Sequence, residues 1–487
     1  MLFNSFAFAV FLSLVFILYW SVFNRKSTTL RNAFLIIVSY VFYGWWDWRF
    51  LILIAFTSFC SYGTGLLMQY IDNKRFTPPR SLNIVKLLNI SNIVLNLGIL
   101  GVFKYYNFFV DSFLSAFASV GVHLQPSTLN VILPVGISFY TFQALSYSID
   151  VYRKKLEPTR DFVAFFAFVS FFPQLVAGPI ERATNLLPQF FIKHKPDYKV
   201  FRSAMLLIAW GFFKKIMIAD RLAVFVDKVY GDIPAANGLP TLIGILFFAL
   251  QLYLDFSAYS DIAIGTSRLF GFNLMTNFKR PYLSFSFGNF WKRWHISLSS
   301  WFQDYVYIPL GGSRKGKIRT IINVLIVFAV SGLWHGASWN FVIWGTLNAL
   351  FMIALDPVLS LVQSKNFIIR FFKAFFIFAC WALSLVFFRA QGFEEALDFF
   401  RYLDFSNAEN IINFGLNARE LNLSFILIGI LLLKEIVWEK NETFVPNYFY
   451  KTPTIIRWIF YIVFVLSIVY LGQYGNGNEN SFIYFQF

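Results

Sequence analysis

Apolar runs of about 20 residues recur along the whole chain, and they limit its possible folds more than any other feature of the sequence. A helix of about that length crosses the hydrocarbon core of a membrane, which is about 30 Å thick. Hydrophobic residues make up 58% of the 487 residues and charged residues only 14%, against roughly 25% charged residues in an average soluble domain. The sequence therefore predicts an all-α polytopic membrane protein without a soluble domain.

The net charge of +16 comes from short basic clusters between the apolar runs. Cytoplasmic loops carry an excess of Lys and Arg, so Arg25, Lys26 and Arg31 predict a cytoplasmic first loop and an N-terminus outside. Basic clusters at residues 74–80 and 153–155 repeat this pattern. We interpret most of these residues as topology signals and contacts to anionic lipid head groups, and we do not expect nucleic-acid binding.

Residues 161–177 are expected to cross the membrane. The next apolar run carries Lys214 and Lys215, which are expected to reach the cytoplasmic interface from a helix end. A later run carries charges at a depth where they are costly. In the predicted helix 242–270, Asp255 lies four residues after Gln251 on one face, and Asp261 is spaced to pair with Arg268. Either a buried ion pair or the wall of a polar cavity explains these carboxylates.

Residues 290–340 concentrate polar groups in the middle of this apolar protein, and they contain two of its four histidines. His335 follows the last basic residue of the loop, Arg319, by 16 residues, or about 24 Å of helix. It is therefore expected deep in the membrane, where an ionisable residue indicates a functional site. Gly332 and Gly336 flank it and permit close helix packing or room for a ligand.

His295 lies in a different pattern. Trp291, Trp294, His295, Leu298 and Trp301 recur at intervals of three and four residues, which is typical of an amphipathic helix. Such a helix lies at the membrane interface, or it places His295 at the mouth of a tunnel beneath it. Both interpretations stay open at this point.

The chemistry available to two histidines is limited. Two are too few for a convincing zinc site, which needs three or four ligands, and the two cysteines, Cys60 and Cys380, lie in apolar runs without metal-binding spacing. No metal site is expected. A neutral imidazole acting as a base on a hydroxyl, with no covalent enzyme intermediate, is the simplest chemistry these residues support.

Eight segments distributed over most of the chain form a recognisable set of motifs. They are WKRWHISLS (291–299), WFQDYVYIPLGG (301–312), GLWHGA (332–337), DFSAYSD (255–261), PVGISFYTFQ (134–143), FPQLVAGPI (172–180), FFRA (387–390) and FIYFQF (482–487). Together they closely resemble the membrane-bound O-acyltransferase (MBOAT) family, and within it the bacterial alginate O-acetyltransferase branch. The departure from the family pattern is Ala258, where the family has glycine.

The resemblance implies a fold and a set of site residues. The fold would be one integral-membrane domain over residues 1–487, with its signature core at about 130–390 and late helices at 424–471. About eleven or more membrane helices, with re-entrant and interfacial helices, would surround a central tunnel. The resemblance makes His335 the essential membrane histidine and His295 a second catalytic position. We expect Trp334, Trp294, Asp304 and Asn340 to line the substrate tunnel.

The resemblance also implies an activity. An acetyl group from a cytoplasmic thioester, acetyl-CoA or another acyl thioester, would cross the bacterial inner membrane and O-acetylate a surface polysaccharide, with a separate extracytoplasmic acetyltransferase completing the transfer. No bound cofactor is expected. The alternatives are D-alanyl or other acyl transfer to a cell-envelope polymer, a proton-coupled transporter, and a structural subunit that anchors another enzyme.

Overall fold

The computed structural model describes residues 1–73, 80–125, 128–129, 132–407, 411–440, 451–474 and 481–483. This part of the chain is helical and contains no β-strand, which confirms the all-α fold class. The expectations for residues 74–79 and 484–487 lie outside the described residues. The helices are α1 (Phe6–Leu18), α2 (Thr28–Asp47), α3 (Leu51–Asn73), α4 (Arg80–Leu100), α5 (Tyr106–Ala118), α6 (Ile137–Tyr152), α7 (Phe162–Ser170), α8 (Ala183–Leu186), α9 (Tyr198–Phe212), α10 (Asp220–Gly231), α11 (Leu239–Leu269), α12 (Phe287–Trp291), α13 (Ile296–Phe302), α14 (Lys317–His335), α15 (Trp339–Leu361), α16 (Phe367–Arg389), α17 (Phe393–Arg401), α18 (Ala418–Lys440) and α19 (Thr454–Leu471).

Nine helical segments in the described ranges are long and apolar enough to cross a membrane. One of them, Thr28–Asn73, contains both α2 and α3, which have 20 and 23 residues. At a rise of 1.5 Å per residue, each of these helices alone reaches about 30 Å. The chain is therefore a multi-pass membrane protein, as the apolar runs predict.

The chain divides into two compact units, residues 1–206 with 263–275 and residues 207–262 with 276–487. In the first unit α3 packs against α4 and α6, and α2 packs against α7. The prediction that residues 161–177 span the membrane is wrong. The helix α7 ends at Ser170, and residues 171–182 continue as buried chain without a long helix. Phe171 leaves the helical conformation with a ψ of 110°, and Pro173 two residues later could not continue the helix.

In the second unit α14 and α15 pack closely against each other, and two glycines permit it. A Cβ atom on Gly332 would stand 2.1 Å from the carbonyl oxygen of Phe341, and one on Gly345 would stand 2.2 Å from that of Phe328. Any side chain at these positions would push the two backbones apart. The predicted close packing at Gly332 is confirmed, and this contact fixes the last turn of α14 against α15.

Candidate active site

His335 is the last residue of α14, a helix of 19 residues and therefore about 28 Å long. Only 8% of its surface is exposed. Its ring lies 5.1 Å from the ring of Trp344 and 5.5 Å from that of Phe388, nearly perpendicular to the first. The glycine contact between α14 and α15 thus places the imidazole among aromatic rings, at one end of a helix that is long enough to cross a membrane.

A cavity of about 10 Å³ adjoins the imidazole of His335. Its lining contains no acidic or basic side chain other than this histidine. We call the other residues of the lining the aromatic box; they are Leu252, Phe256, Trp294, Trp344, Trp381 and Phe388. A space of this size is about what one water molecule occupies.

His295 is buried, with 1% of its surface exposed, and it stands between two short helices. The prediction of one amphipathic helix at the interface is wrong. α12 ends at Trp291, α13 begins at Ile296, and His295 has a left-handed backbone with φ of 42°. The aromatic side chains pack inward instead: the rings of Phe290 and Trp294 lie 4.7 Å and 4.8 Å from that of Trp381.

The imidazole of His295 caps the helix that follows it. Its Nδ1 accepts a hydrogen bond from the backbone N–H of Leu298 at 3.2 Å, which satisfies one of the free donors at the start of α13. Burial lowers the pKa of His295 to about 3, so the ring is neutral at pH 7. Because Nδ1 accepts, the neutral ring carries its hydrogen on Nε2.

The sequence did not predict a role for Asn277, yet this residue connects two of the segments that resemble the MBOAT family, DFSAYSD (255–261) and WKRWHISLS (291–299). Its side-chain oxygen accepts from the hydroxyl of Ser297 at 2.6 Å, and its amide donates to the hydroxyl of Ser260 at 3.1 Å. Its carbonyl accepts the N–H of Ile296 at 2.8 Å. Asn277 therefore ties α13 to α11 directly beside His295, and only the fold places it there.

The two histidines belong to one cluster of rings. The ring of Trp334 lies 6.1 Å from that of His295 and 5.0 Å from that of His335. Phe256, whose ring is 4.7 Å from that of His295, also lines the cavity beside His335. The fold thus brings together residues from α11, from the segment between α12 and α13, and from α14, α15 and α16, which are far apart in the sequence.

The remaining predicted tunnel residues fall at different distances from the cavity. Trp294 belongs to its lining, and Trp334 contacts both histidine rings. Asp304 lies in the helical turn Gln303–Tyr307, and Asn340 donates from its amide to the carbonyl of Ala390 at 2.9 Å. Neither of these two lines the cavity, and the tunnel and catalytic roles of all these residues stay predictions.

A buried group of charges lies elsewhere in the same unit, and the sequence predicted a buried ion pair only as one of two alternatives for its carboxylate Asp255. The ammonium of Lys215, which is 1% exposed, stands 2.7 Å from Asp255 and 2.8 Å from Asp220. We call these three residues the ion cluster. It also holds the end of the described chain, because Lys215 donates to the carbonyl of Ser481 at 3.0 Å and Asp255 accepts the N–H of Ile483 at 2.8 Å.

These buried charges correct one expectation. Lys214 and Lys215 do not reach an interface; both are buried in the helical turn Phe213–Ala219. Asp261 pairs with Lys214 at 2.8 Å, a partner that its spacing to Arg268 did not indicate. Of the two alternatives for Asp255, the buried ion pair is the one observed. Spacing along α11 could not reveal this, since the partner lysines come from another helix.

Metal-binding potential is limited in the part of the chain that the structure describes, where no group of three or more His, Cys, Asp and Glu side chains is placed to hold an ion. The imidazole and indole groups of the site offer a candidate base, N–H donors and an apolar surround.

Comparison with known proteins gives a consistent result. Residues 76–390 match the model of the MBOAT, membrane-bound O-acyltransferase family. The chain is 39% identical over 391 residues to a probable alginate O-acetylase of Pseudomonas putida, covering 80% of this chain and 77% of that protein. It is 32% identical over 422 residues to a peptidoglycan O-acetyltransferase of Helicobacter pylori, covering 81% and 78%.

A teichoic acid D-alanyltransferase of Streptococcus thermophilus is more distant, at 26% identity over 287 residues, or 53% of this chain and 66% of that protein. The family match covers most of the chain and includes both histidines of the aromatic cluster. The chain belongs to the membrane-bound O-acyltransferase family and is an O-acyltransferase.

Proposed function

We propose that this protein passes an acetyl group from a thioester donor to a hydroxyl, as a step in the O-acetylation of a cell-envelope polysaccharide. The observation that carries the proposal is the placement of His335, at the end of a membrane-length helix and beside an apolar cavity. Similarity to proteins named for alginate and peptidoglycan O-acetylation extends over about 80% of the chain. This supports a polysaccharide as the final acceptor.

In the proposed mechanism His335 is the general base. Its imidazole takes the proton of the acceptor hydroxyl, and the oxygen attacks the carbonyl carbon of the thioester. The C–S bond then breaks, and the departing sulfur receives the proton from the imidazolium. A positioned base of this kind contributes about 10²–10⁴-fold to the rate. The surrounding rings exclude water, which strengthens electrostatic interactions in the site.

His295 has a different part in this proposal. Its Nδ1 is occupied by the N–H of Leu298, so the neutral ring presents Nε2–H, which is a donor and not a base. It therefore acts as a positioning group that holds Trp334 and the start of α13 in place. Replacement of His295 should reduce activity less than replacement of His335.

The proposal includes a direction and partners. The donor, acetyl-CoA or another acyl thioester, approaches from the cytoplasm, where the exposed basic residues Arg314, Lys315 and Lys317 attract its negative charge. The protein lies in the bacterial inner membrane with its N-terminus outside, and an extracytoplasmic acetyltransferase completes transfer to the polysaccharide. D-alanyl transfer is the second candidate, and the similarity to a D-alanyltransferase covers only 53% of the chain.

The test measures O-acetyl groups on each surface polymer of the producing cell, together with the amount of protein in the membrane. We expect His335→Ala and His335→Gln to lower acetylation of one polymer by at least about 100-fold. His123→Ala is the matched control, because His123 is exposed. Normal acetylation in well-inserted His335 variants would refute the general-base assignment, and loss of alanine esters instead of acetyl esters would favour the second candidate.

A further inference from the structure

We propose that Glu439 of α18 is a positioning residue for acyl transfer, because it holds residues 293–296 in place at the cavity of the candidate active site. We call these residues the histidine segment, since they include His295 as well as Trp294, which lines the cavity. The inference rests on the proposed function, which places the reaction at that cavity. α18 follows residues 76–390, the part of the chain that matches the family model, so it adds to the site a helix from outside that part.

The carboxylate of Glu439 binds two arginines at once. Its Oε2 stands 2.7 Å from Nε of Arg280 and 3.0 Å from Nη1 of Arg293, and its Oε1 stands 2.8 Å from Nη2 of Arg293. The contact with Arg293 is therefore bidentate, and such pairs add geometric specificity to their strength. The three side chains are between 13% and 24% exposed, so salt screens this contact less than one on the open surface. Glu439 thus fixes the first residue of the histidine segment.

Main-chain hydrogen bonds extend this contact to the rest of the histidine segment. The N–H of Lys279 donates to the carbonyl of Arg293 at 2.9 Å, and the N–H of Ile296 donates to the carbonyl of Asn277 at 2.8 Å. Residues 277–280 and the histidine segment therefore lie side by side, and the carboxylate of α18 binds one arginine from each.

Each of these two segments has one residue with a left-handed backbone. The φ angle is 50° at Arg280 and 42° at His295, a conformation that is uncommon for residues other than glycine. Residues in such conformations persist only where the surrounding structure fixes them. Arg280 binds Glu439 directly, and His295 follows the other bound arginine, Arg293, by two positions. Loss of the carboxylate should therefore loosen the backbone at both left-handed residues.

A second carboxylate of α18 supports the same segment through a tyrosine. Glu435 precedes Glu439 by about one helical turn, so the two lie on one face of α18. Its Oε1 accepts a hydrogen bond from the hydroxyl of Tyr253 at 2.5 Å, and the ring of Tyr253 lies 6.1 Å from that of Trp294. Both Glu435 and Tyr253 are buried. One face of α18 thus supports the histidine segment at Arg293 and at Trp294.

A negatively charged donor is the alternative ligand for the two arginines. Coenzyme A carries phosphates, and arginine binds phosphate with the same bidentate geometry that it uses for carboxylate. In the structure the carboxylate of Glu439 contacts both guanidinium groups, which favours the positioning role. The two roles differ in their kinetics, because a lost positioning contact lowers kcat, whereas a change in donor binding moves KM and leaves kcat unchanged.

The experiment measures initial rates of acetyl transfer from acetyl-coenzyme A to the polymer in membrane vesicles from the producing cell. Rates at a series of donor concentrations, divided by the amount of protein in the membrane, give kcat and KM. Because small misplacements at a reacting site are costly, we expect Glu439→Gln to lower kcat by about 10- to 100-fold and to leave KM within about threefold of the wild type. Glu439→Asp keeps the charge and should retain a larger share of the wild-type kcat.

Glu420→Gln is the matched control, because Glu420 lies on the same helix, 19 residues before Glu439, and therefore about 28 Å away along the helix axis. It should keep the wild-type kcat and KM. Arg293→Lys is a second variant if Glu439→Gln fails to insert, since lysine keeps the charge but cannot make the bidentate contact. This variant should lower kcat by about tenfold.

Hydrogen exchange followed by mass spectrometry adds a measurement that does not depend on activity. In Glu439→Gln, peptides from residues 277–298 should exchange faster than in the wild type, because the two segments have lost the carboxylate that binds both. Peptides from α3 should exchange at the wild-type rate, which distinguishes a local effect from general destabilisation.

An unchanged kcat in well-inserted Glu439→Gln, an equal loss of kcat in Glu420→Gln, or unchanged exchange at residues 277–298 would overturn the inference. A change in KM of about tenfold or more with unchanged kcat would overturn it as well and assign the arginines to donor binding. If wild-type vesicles transfer no acetyl group, or if His335→Gln is as active as the wild type, the proposed function is what has failed.

Discussion

The aromatic box and the ion cluster are two buried regions of the same unit, and they hold their ionisable groups by opposite means. Around His335 the neighbours are rings and one leucine, with no acidic side chain in the cavity lining. Around Lys215 two carboxylates lie within 2.8 Å, and the chain near Ile483 supplies further hydrogen bonds. One region is shaped by packing and the other by charge.

The surroundings of His335 suit a group that takes part in a reaction, whereas those of Lys215 suit groups that stabilise the fold. In the ion cluster the charge of Lys215 is met by two carboxylates, and removing the lysine leaves both of them buried without a cation. In the aromatic box His335 lies beside a space lined by rings and one leucine, and under the proposed function it acts as the base. We therefore expect variants of the ion cluster to affect stability first, and variants of the box to affect activity first.

The largest effect on stability is expected for Lys215→Met. It leaves Asp220 and Asp255 buried without their cation, which costs about 3–5 kcal/mol. The residues near Ser481 lose an anchor at the same time. Unfolding in detergent measures the first effect, and digestion by a carboxypeptidase measures the second.

The double variant Lys215→Met with Asp255→Asn should recover part of that stability, because it also removes a stranded charge. If Lys215→Met has the same free energy of unfolding as the wild type, the ion cluster does not stabilise this region, and the contrast with the aromatic box is wrong.

The next effect concerns the packing that positions His335. An added Cβ at Gly332 would stand 2.1 Å from a main-chain oxygen of α15, so Gly332→Ala should lose about 1–3 kcal/mol and most of its activity. The matched control is Gly429→Ala in α18, where a Cβ would meet nothing within 4 Å. That variant should be at least as stable as the wild type, since alanine favours helix over glycine. Equal behaviour of the two variants would contradict the proposed role of the glycine contact.

A pH effect is expected at His295. Its folded pKa is about 3, below the ordinary value of about 6.5, so the unfolded chain binds the proton first as the pH falls. Stability from the neutral ring is complete above about pH 6.5 and declines toward pH 3. The variant His295→Asn keeps a capping side chain that tolerates a left-handed backbone but removes the titration.

Between pH 6.5 and 5.5, the wild type should lose about 1 kcal/mol relative to His295→Asn. Unfolding of both proteins in detergent at a series of pH values gives this difference. Parallel curves for the two proteins would show that the His295 ring is not the group that titrates.

The smallest effect is expected for a charge pair on an exposed helix. Arg401 stands 2.8 Å from Asp398 in α17, and 61% of its side chain is exposed. Exposed pairs contribute about 0.2–1 kcal/mol, so Arg401→Met should change stability by about 0.5 kcal/mol or less. The same measurement as for Lys215→Met then shows how much burial amplifies the loss of one positive charge. A loss at Arg401 as large as that at Lys215 would remove burial as the explanation.

The amino-acid sequence by itself determined the class of this protein. Apolar runs of membrane length predicted spanning helices, among them residues 242–270, which correspond to α11, because a spanning segment is recognised by local composition and length. Gly332 predicted close helix packing, since the absence of a side chain is also a local property. The motifs around His295 and His335 identified the family through residues that the sequence displays directly.

Only the tertiary structure decided what surrounds those residues. The spacing of Trp291, Trp294 and Trp301 predicted an amphipathic helix at the interface. In the structure the ring of Trp294 packs against that of Trp381 in α16, and no helix continues through His295. Lys215 was expected at a helix end near the interface, but in the structure it is buried and pairs with carboxylates from α10 and α11. Periodicity reports which residues share a face of one helix, but the partner of that face comes from another helix. Pairing of charges and closure of a cavity depend on several helices at once, and they are decided only when those helices pack.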